Sequence, residues 1–161
     1  MATGRSRSAS ARPTFGAKFV EARVDPDTGE VRVARQLGVF AAGRIVNPRT
    51  ARSQLIGGMT MGLGMALHEE GIMDPNNGDY VNHDLAQYHV PAHADIGAME
   101  ASWIDEVDEH LNPMGSKGIG EIGIVGAAAA VANAVHHACG VRVRDLPIRL
   151  DRVLEGLGGA G

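Results

Sequence analysis

An α+β fold follows from three observations on this 161-residue sequence. Two β-rich runs flank a Pro/Asp/Gly turn near its start. Apolar residues at helical spacing appear only after them. The extended and helical stretches then come in pairs, not in the strict alternation of an α/β chain.

Phe15–Val24 alternates as a strand does, with Phe15, Ala17, Phe19 and Glu21 opposing Gly16, Lys18, Val20 and Ala22. Asp25-Pro-Asp-Thr-Gly29 is a turn, and Glu30–Phe40 resumes with Val31, Val33 and Leu37, so the two runs read as a hairpin. Ala41–Pro48 is a loop that Asn47-Pro48 ends. Thr50–Glu70 predicts a helix, because Leu55, Met59, Leu63 and Leu67 recur every four residues. Its interior holds Gly57, Gly58, Gly62 and Gly64, each costing about 1 kcal/mol against alanine, which points to close packing against backbone or a cofactor. Asp74–Gly78 is a turn, and Tyr80–Val90 and Met99–Val107 are expected as strands joined through Pro91. Asp105–His110 reads as a solvated acidic connection. Ile122–Cys139 is expected as a second helix closed by Gly140, Val141–Arg149 as extended, and Leu150–Leu157 as a short final turn.

The bulk composition narrows the function. One domain with a core fits this length, and a formal charge of −4 argues against nucleic acid as the main partner. Cys139 is the only cysteine, so an internal disulfide and a cysteine-ligated iron–sulfur cluster within the chain are excluded. No apolar run is long enough to span a membrane. Residues 1–13 read as a disordered leader, with Arg5, Arg7 and Arg12 and no acid. There are 22 glycines, set inside apolar segments instead of repeats.

The chemistry concentrates in Asn112–Gly123, where Glu121 and Lys117 sit among Gly115, Gly118, Gly120 and Gly123, directly before an alanine-rich run. Glycines allow close backbone approach to a ligand, and the helix that follows offers free N–H groups to an anion. Glu121 is either a general base held against a cofactor or an acid favoured by the helix dipole, and composition alone leaves both open. Gly118-Ile-Gly120-Glu-Ile-Gly123 matches the dinucleotide fingerprint, but the strand that motif needs before it is missing. A nucleotide-binding module on Gly118–Gly123 is therefore the weaker alternative. A phosphate-loop reading fails because glycine follows Lys117. No protein-ligated metal is expected: His68-Glu69-Glu70 lacks a second histidine at position 72, and Pro91 separates His89 from His93. Gln54, one turn before the paired glycines, presents an amide to a polar cofactor in the functional reading.

Three ordered motifs carry a resemblance: Gly43-Arg44-Ile45-Val46-Asn47-Pro48, the run Gln54–Leu67 with its four glycines, and Gly115-Ser116-Lys117-Gly118-Ile119-Gly120-Glu121. Together they resemble the C-terminal part of the molybdopterin-binding large subunit of the xanthine dehydrogenase/aldehyde oxidase family, especially the bacterial periplasmic-type aldehyde oxidoreductases. The likeness runs from about Phe15 to Leu154. It implies part of the second molybdopterin-binding domain over residues 14–161, with a mixed sheet and two glycine/alanine-rich helices. It further implies a molybdenum hydroxylase that oxidises aldehydes or N-heterocycles with water as the oxygen source. Glu121 would be the general base, and Gln54, Gly57, Gly58, Gly118, Ile119 and Gly120 would meet a molybdopterin cofactor of the cytosine dinucleotide form. Lys117 would be a supporting contact. Electrons would pass to [2Fe–2S] clusters and FAD on partner subunits. Family large subunits are several times longer, so the chain is expected to be a fragment needing the rest of its subunit, and inactive alone. An inactive scaffold remnant is the other alternative. The expected compartment is the cytoplasm, or the periplasm if a partner carries an export signal.

Overall fold

The computed structural model describes residues 13–158. The expected leader lies outside the described residues, apart from Pro13.

The hairpin forms as its sequence pattern requires. β1 (Phe15–Val24) and β2 (Val31–Ala41) pair antiparallel around Asp25–Gly29, where the Asp25 carboxylate accepts from the Asp27 and Thr28 N–H groups. The alternation of β1 then fixes two faces. Gly16, Lys18 and Val20 share one with Gln36, Gly38 and Phe40 of β2. Phe15 and Phe19 lie on the other, 62% and 58% exposed.

α1 (Pro48–Leu67) begins where Asn47 and Pro48 dictate. The Asn47 carboxamide oxygen accepts from the Arg49 and Thr50 N–H groups, and proline takes the first helical position. Its apolar stripe buries Leu55, Met59, Leu63 and Ala66 on the inner face of the sheet. Phe40, Leu55, Met59 and Ala101 form one core cluster, and Val33, Leu63, Ala66, Val131, Val135, Ile148 and Val153 the other.

Tyr80–Val90 is not the strand its composition suggested. Only β3 (Met73–Asp74) and β4 (Asp79–Tyr80) pair there, as a two-residue ladder. Beyond them, side chains take the bonds a strand would have needed: Asn82 bridges the Ile72 N–H and the Glu70 carbonyl, and the Asp84 carboxylate accepts from Ala86 and Gln87. A single 3-10 turn at His93–Asp95 leads into β5 (Ala98–Trp103), shorter than the expected run to Val107. β5 pairs parallel to β2, giving a mixed sheet of order β1-β2-β5.

α2 (Ala127–Cys139) starts five residues later than expected, because Gly126 has φ 78° and cannot continue a right-handed helix. Gly140, also at φ 78°, closes it as expected. α3 (Leu150–Gly158) returns Val153 to the core. No helix among the described residues is long and apolar enough to cross a membrane.

Candidate functional site

The glycine loop, residues 112–126, lies across the end of the sheet where β1 begins and β2 ends. Side chains from elsewhere hold it by its carbonyls. The Thr14 hydroxyl donates to the Gly118 carbonyl at 2.6 Å, and the Gln54 amide nitrogen to the Gly120 carbonyl at 2.8 Å. The Lys18 ammonium donates to Ile122 at 2.9 Å and Val125 at 2.6 Å. Lys18 reaches them past the Phe40 ring, 5.1 Å from its centroid, and burial pushes the ammonium below the usual lysine range.

Peptide planarity makes this consequential. In a trans peptide the N–H points opposite to the carbonyl of the preceding residue. Tying back the carbonyls of Gly118 and Gly120 therefore turns the N–H groups of Ile119 and Glu121 away from the protein. Methyl groups added at Gly118 or Gly120 would meet nothing within 4 Å, so this side is open. Glu121 is exposed there, and its carboxylate makes no hydrogen bond or ion pair among the described residues. Its backbone carbonyl accepts from Ile124 and Val125, starting the turn that leads to α2.

The other expected site residues divide. Gln54 is brought to the loop, with its amide nitrogen committed to Gly120 instead of pointing away from it. Gly57 is exposed, with open space around its Cα. Gly58 is occupied otherwise: a methyl group on it would lie 2.8 Å from the Gly123 backbone, so this glycine lets α1 and the loop touch. Lys117 is turned inward. Its side chain is 9% exposed and its ammonium lies 2.8 Å from Glu106 and 3.9 Å from Asp108, while its N–H donates to the Ala42 carbonyl.

That arrangement corrects the reading of 105–110 as a solvated connection. Glu106 and Asp108 are 31% and 10% exposed, and Glu106 also accepts from the Gly43 N–H at 2.7 Å. Lys117 and Gly43 together hold the Glu106 carboxyl below the usual glutamate range. Sequence reasoning did not single out Lys18 or Thr14, since an alternating strand shows which residues share a face but not what that face covers.

Among the described residues no three His, Cys, Asp or Glu side chains converge as a metal cluster would. A cavity of about 810 Å³ lies at the opposite end of the sheet, lined among others by Val33, His68, Glu70, Gly97 and Arg149. No predicted site residue lines it. Around Gly118 and Gly120 the loop faces open space among the described residues.

A family model described as the molybdopterin cofactor-binding domain matches residues 2–97, well over half of the chain. The chain belongs to the molybdopterin cofactor-binding domain family. This molybdopterin-binding chain is 56% identical over 144 residues to the aldehyde oxidoreductase molybdenum-binding subunit PaoC of Escherichia coli K12, covering 89% of the chain and 20% of that subunit. It is 39% identical over 143 residues to the xanthine dehydrogenase molybdenum-binding subunit of Escherichia coli O157:H7, covering 89% and 19%. In three dimensions it is similar to the crystal structure of the aldehyde oxidoreductase from Desulfovibrio desulfuricans. There the TM-score is 0.80 at 30% identity, over 89% of the chain and 15% of that protein. The α+β fold is that of molybdenum-hydroxylase domains. The chain spans about a fifth of the length of the curated relatives it matches.

Proposed function

We propose that residues 14–161 form the C-terminal part of the catalytic, molybdenum-cofactor-binding subunit of an aldehyde oxidoreductase/xanthine dehydrogenase-type hydroxylase, with Glu121 as its general base. The observation that carries this reading is the Glu121 carboxylate, without a hydrogen bond or ion pair among the described residues, on the open side of a loop whose Gly118, Gly120, Ile122 and Val125 carbonyls are tied back. A carboxylate so placed takes a proton from whatever occupies that side, and the Ile119 and Glu121 N–H groups are donors to an anionic or oxo partner. The donor set fits a metal that arrives in its own organic ligand, since the loop offers backbone N–H groups and one base but no coordinating cluster. When bound, the molybdenum–pterin group supplies the oxygen transfer and accepts the electron pair. Ile119, Gly118, Gly120 and Gly57 then form the chain's surface toward it, and Gln54 holds Gly120 in register.

The relatives' names tilt the substrate toward aldehydes, with N-heterocycles second, and the family resemblance implies the cytosine dinucleotide form of the cofactor. The remaining walls of the site belong to the rest of the large subunit. Electrons leave through an iron–sulfur subunit and a FAD subunit, in the cytoplasm, or in the periplasm if a partner carries the export signal.

The test is Glu121→Gln in the assembled enzyme carrying this chain. Turnover should fall by about 10²–10⁴-fold, the usual worth of a positioned general base, with molybdenum content unchanged. Retained turnover would make Glu121 a capping acid and the chain a scaffold.

A further inference from the structure

We propose that Lys18 is a positioning residue for Glu121: from the inner face of β1 it grips both ends of the turn that carries the base. This rests on the reading of Glu121 as that base. The turn runs from Glu121, whose carbonyl accepts from Ile124 and Val125, and the Lys18 ammonium binds two carbonyls near its start and end, Ile122 at 2.9 Å and Val125 at 2.6 Å. Gly126 at φ 78° keeps these carbonyls out of α2, so no helical N–H competes for them. A charged donor on two carbonyls makes stronger bonds than neutral donors would. The half-buried stem is itself held, crossing the ring of the fully buried Phe40. Thr14 and Gln54 fix the peptides just before Glu121, and Lys18 fixes those just after. The base thus sits between two anchored segments, with no hydrogen bond or ion pair to its carboxylate among the described residues. A charged residue on a core-facing strand position is otherwise costly, and this grip is what the position provides.

The experiment has two readouts. Amide hydrogen exchange on the 161-residue chain compares the natural protein with Lys18→Met, Lys18→Arg and Thr14→Val. Lys18→Met keeps the apolar stem over Phe40, and Thr14→Val covers the case in which Lys18→Met fails to fold. Exchange across 118–126 should rise about tenfold or more in Lys18→Met on losing two charge-assisted bonds. It should rise less in Thr14→Val and stay near the natural rate in Lys18→Arg, with protection in α1 and α2 unchanged throughout. In the assembled enzyme, Lys18→Met should lower kcat by about 10²-fold through misplacement of the base, leave KM within about twofold, and recover with Lys18→Arg. Unchanged exchange in 118–126, or equal loss of protection in α1 and α2, would overturn the proposal. So would a change in KM with kcat intact. If Glu121→Gln retains turnover while Lys18→Met still loosens the loop, the base reading has failed and the grip stands.

Discussion

Gly57 and Gly58 are neighbours in α1, yet a methyl group added to the first would meet nothing within 4 Å, while on the second it would lie 2.8 Å from the Gly123 backbone. The two therefore answer to different physics. Gly58→Ala forces α1 and the loop apart and should cost about 1–3 kcal/mol, as overpacking does. Gly57→Ala should raise the stability of the chain by up to about 1 kcal/mol through helix propensity. Thermal melts of the two variants would move in opposite directions. If Gly57 faces the cofactor as proposed, its alanine variant should also lower molybdenum content in the assembled enzyme, separating a site role from a packing role at one position. Glu106 offers a second residue-scale prediction. Its carboxyl sits below the ordinary value of 4.5 because Lys117 and Gly43 favour the charged form. The folded state binds fewer protons there than the unfolded chain, so this contribution to stability is complete above that value. It is lost as pH falls through the depressed one. Limited proteolysis of the 105–117 connection should accelerate on acidification across that window. Lys117→Met should remove most of the pH dependence.

At the scale of elements, Asn47 decides where α1 begins, and Asn47→Ala should cost about 1 kcal/mol through loss of the cap, read by denaturant unfolding. This start was legible because the cap and the proline after it are local signals. So were the hairpin, whose turn residues are local, and Gly140 at the end of α2. What local signals could not carry was competition from distant groups. Residues 122–126 have the composition of a helix start, but Gly126 takes φ 78° and Lys18, over a hundred positions earlier, claims the Ile122 and Val125 carbonyls. Residues 80–90 hold strand formers, but Asn82 and Asp84 satisfy the backbone first. The site divides in the same way. Glu121 and its glycines were legible as a loop leading into α2. Whether Lys117 reached a ligand or the acids of 105–110 depended on a fold that brings Glu106 against Gly43.

For the whole molecule, the described residues cover the sheet on one side only. α1 and α2 bury the inner face, while the outer face leaves Phe15 and Phe19 mostly exposed. A contiguous apolar surface of this kind favours association. Phe19→Lys should leave the circular dichroism spectrum and the stability within about 0.5 kcal/mol, as for most exposed positions, and reduce self-association of the isolated chain in sedimentation. In the full subunit the same change should impair assembly if the rest of the subunit covers this face.

The three side chains that hold the loop reach it across sequence separations of 104, 66 and 104–107 residues. Contacts that close so much chain form late in folding, after hairpin and helix have already been set by their neighbours. On a ribosome, β1 and α1 are finished long before the loop is made, so Glu121 is delivered to a surface already waiting for it. In partial unfolding the order reverses. The chain sheds the Glu121 loop first, while the sheet that displayed it is still standing.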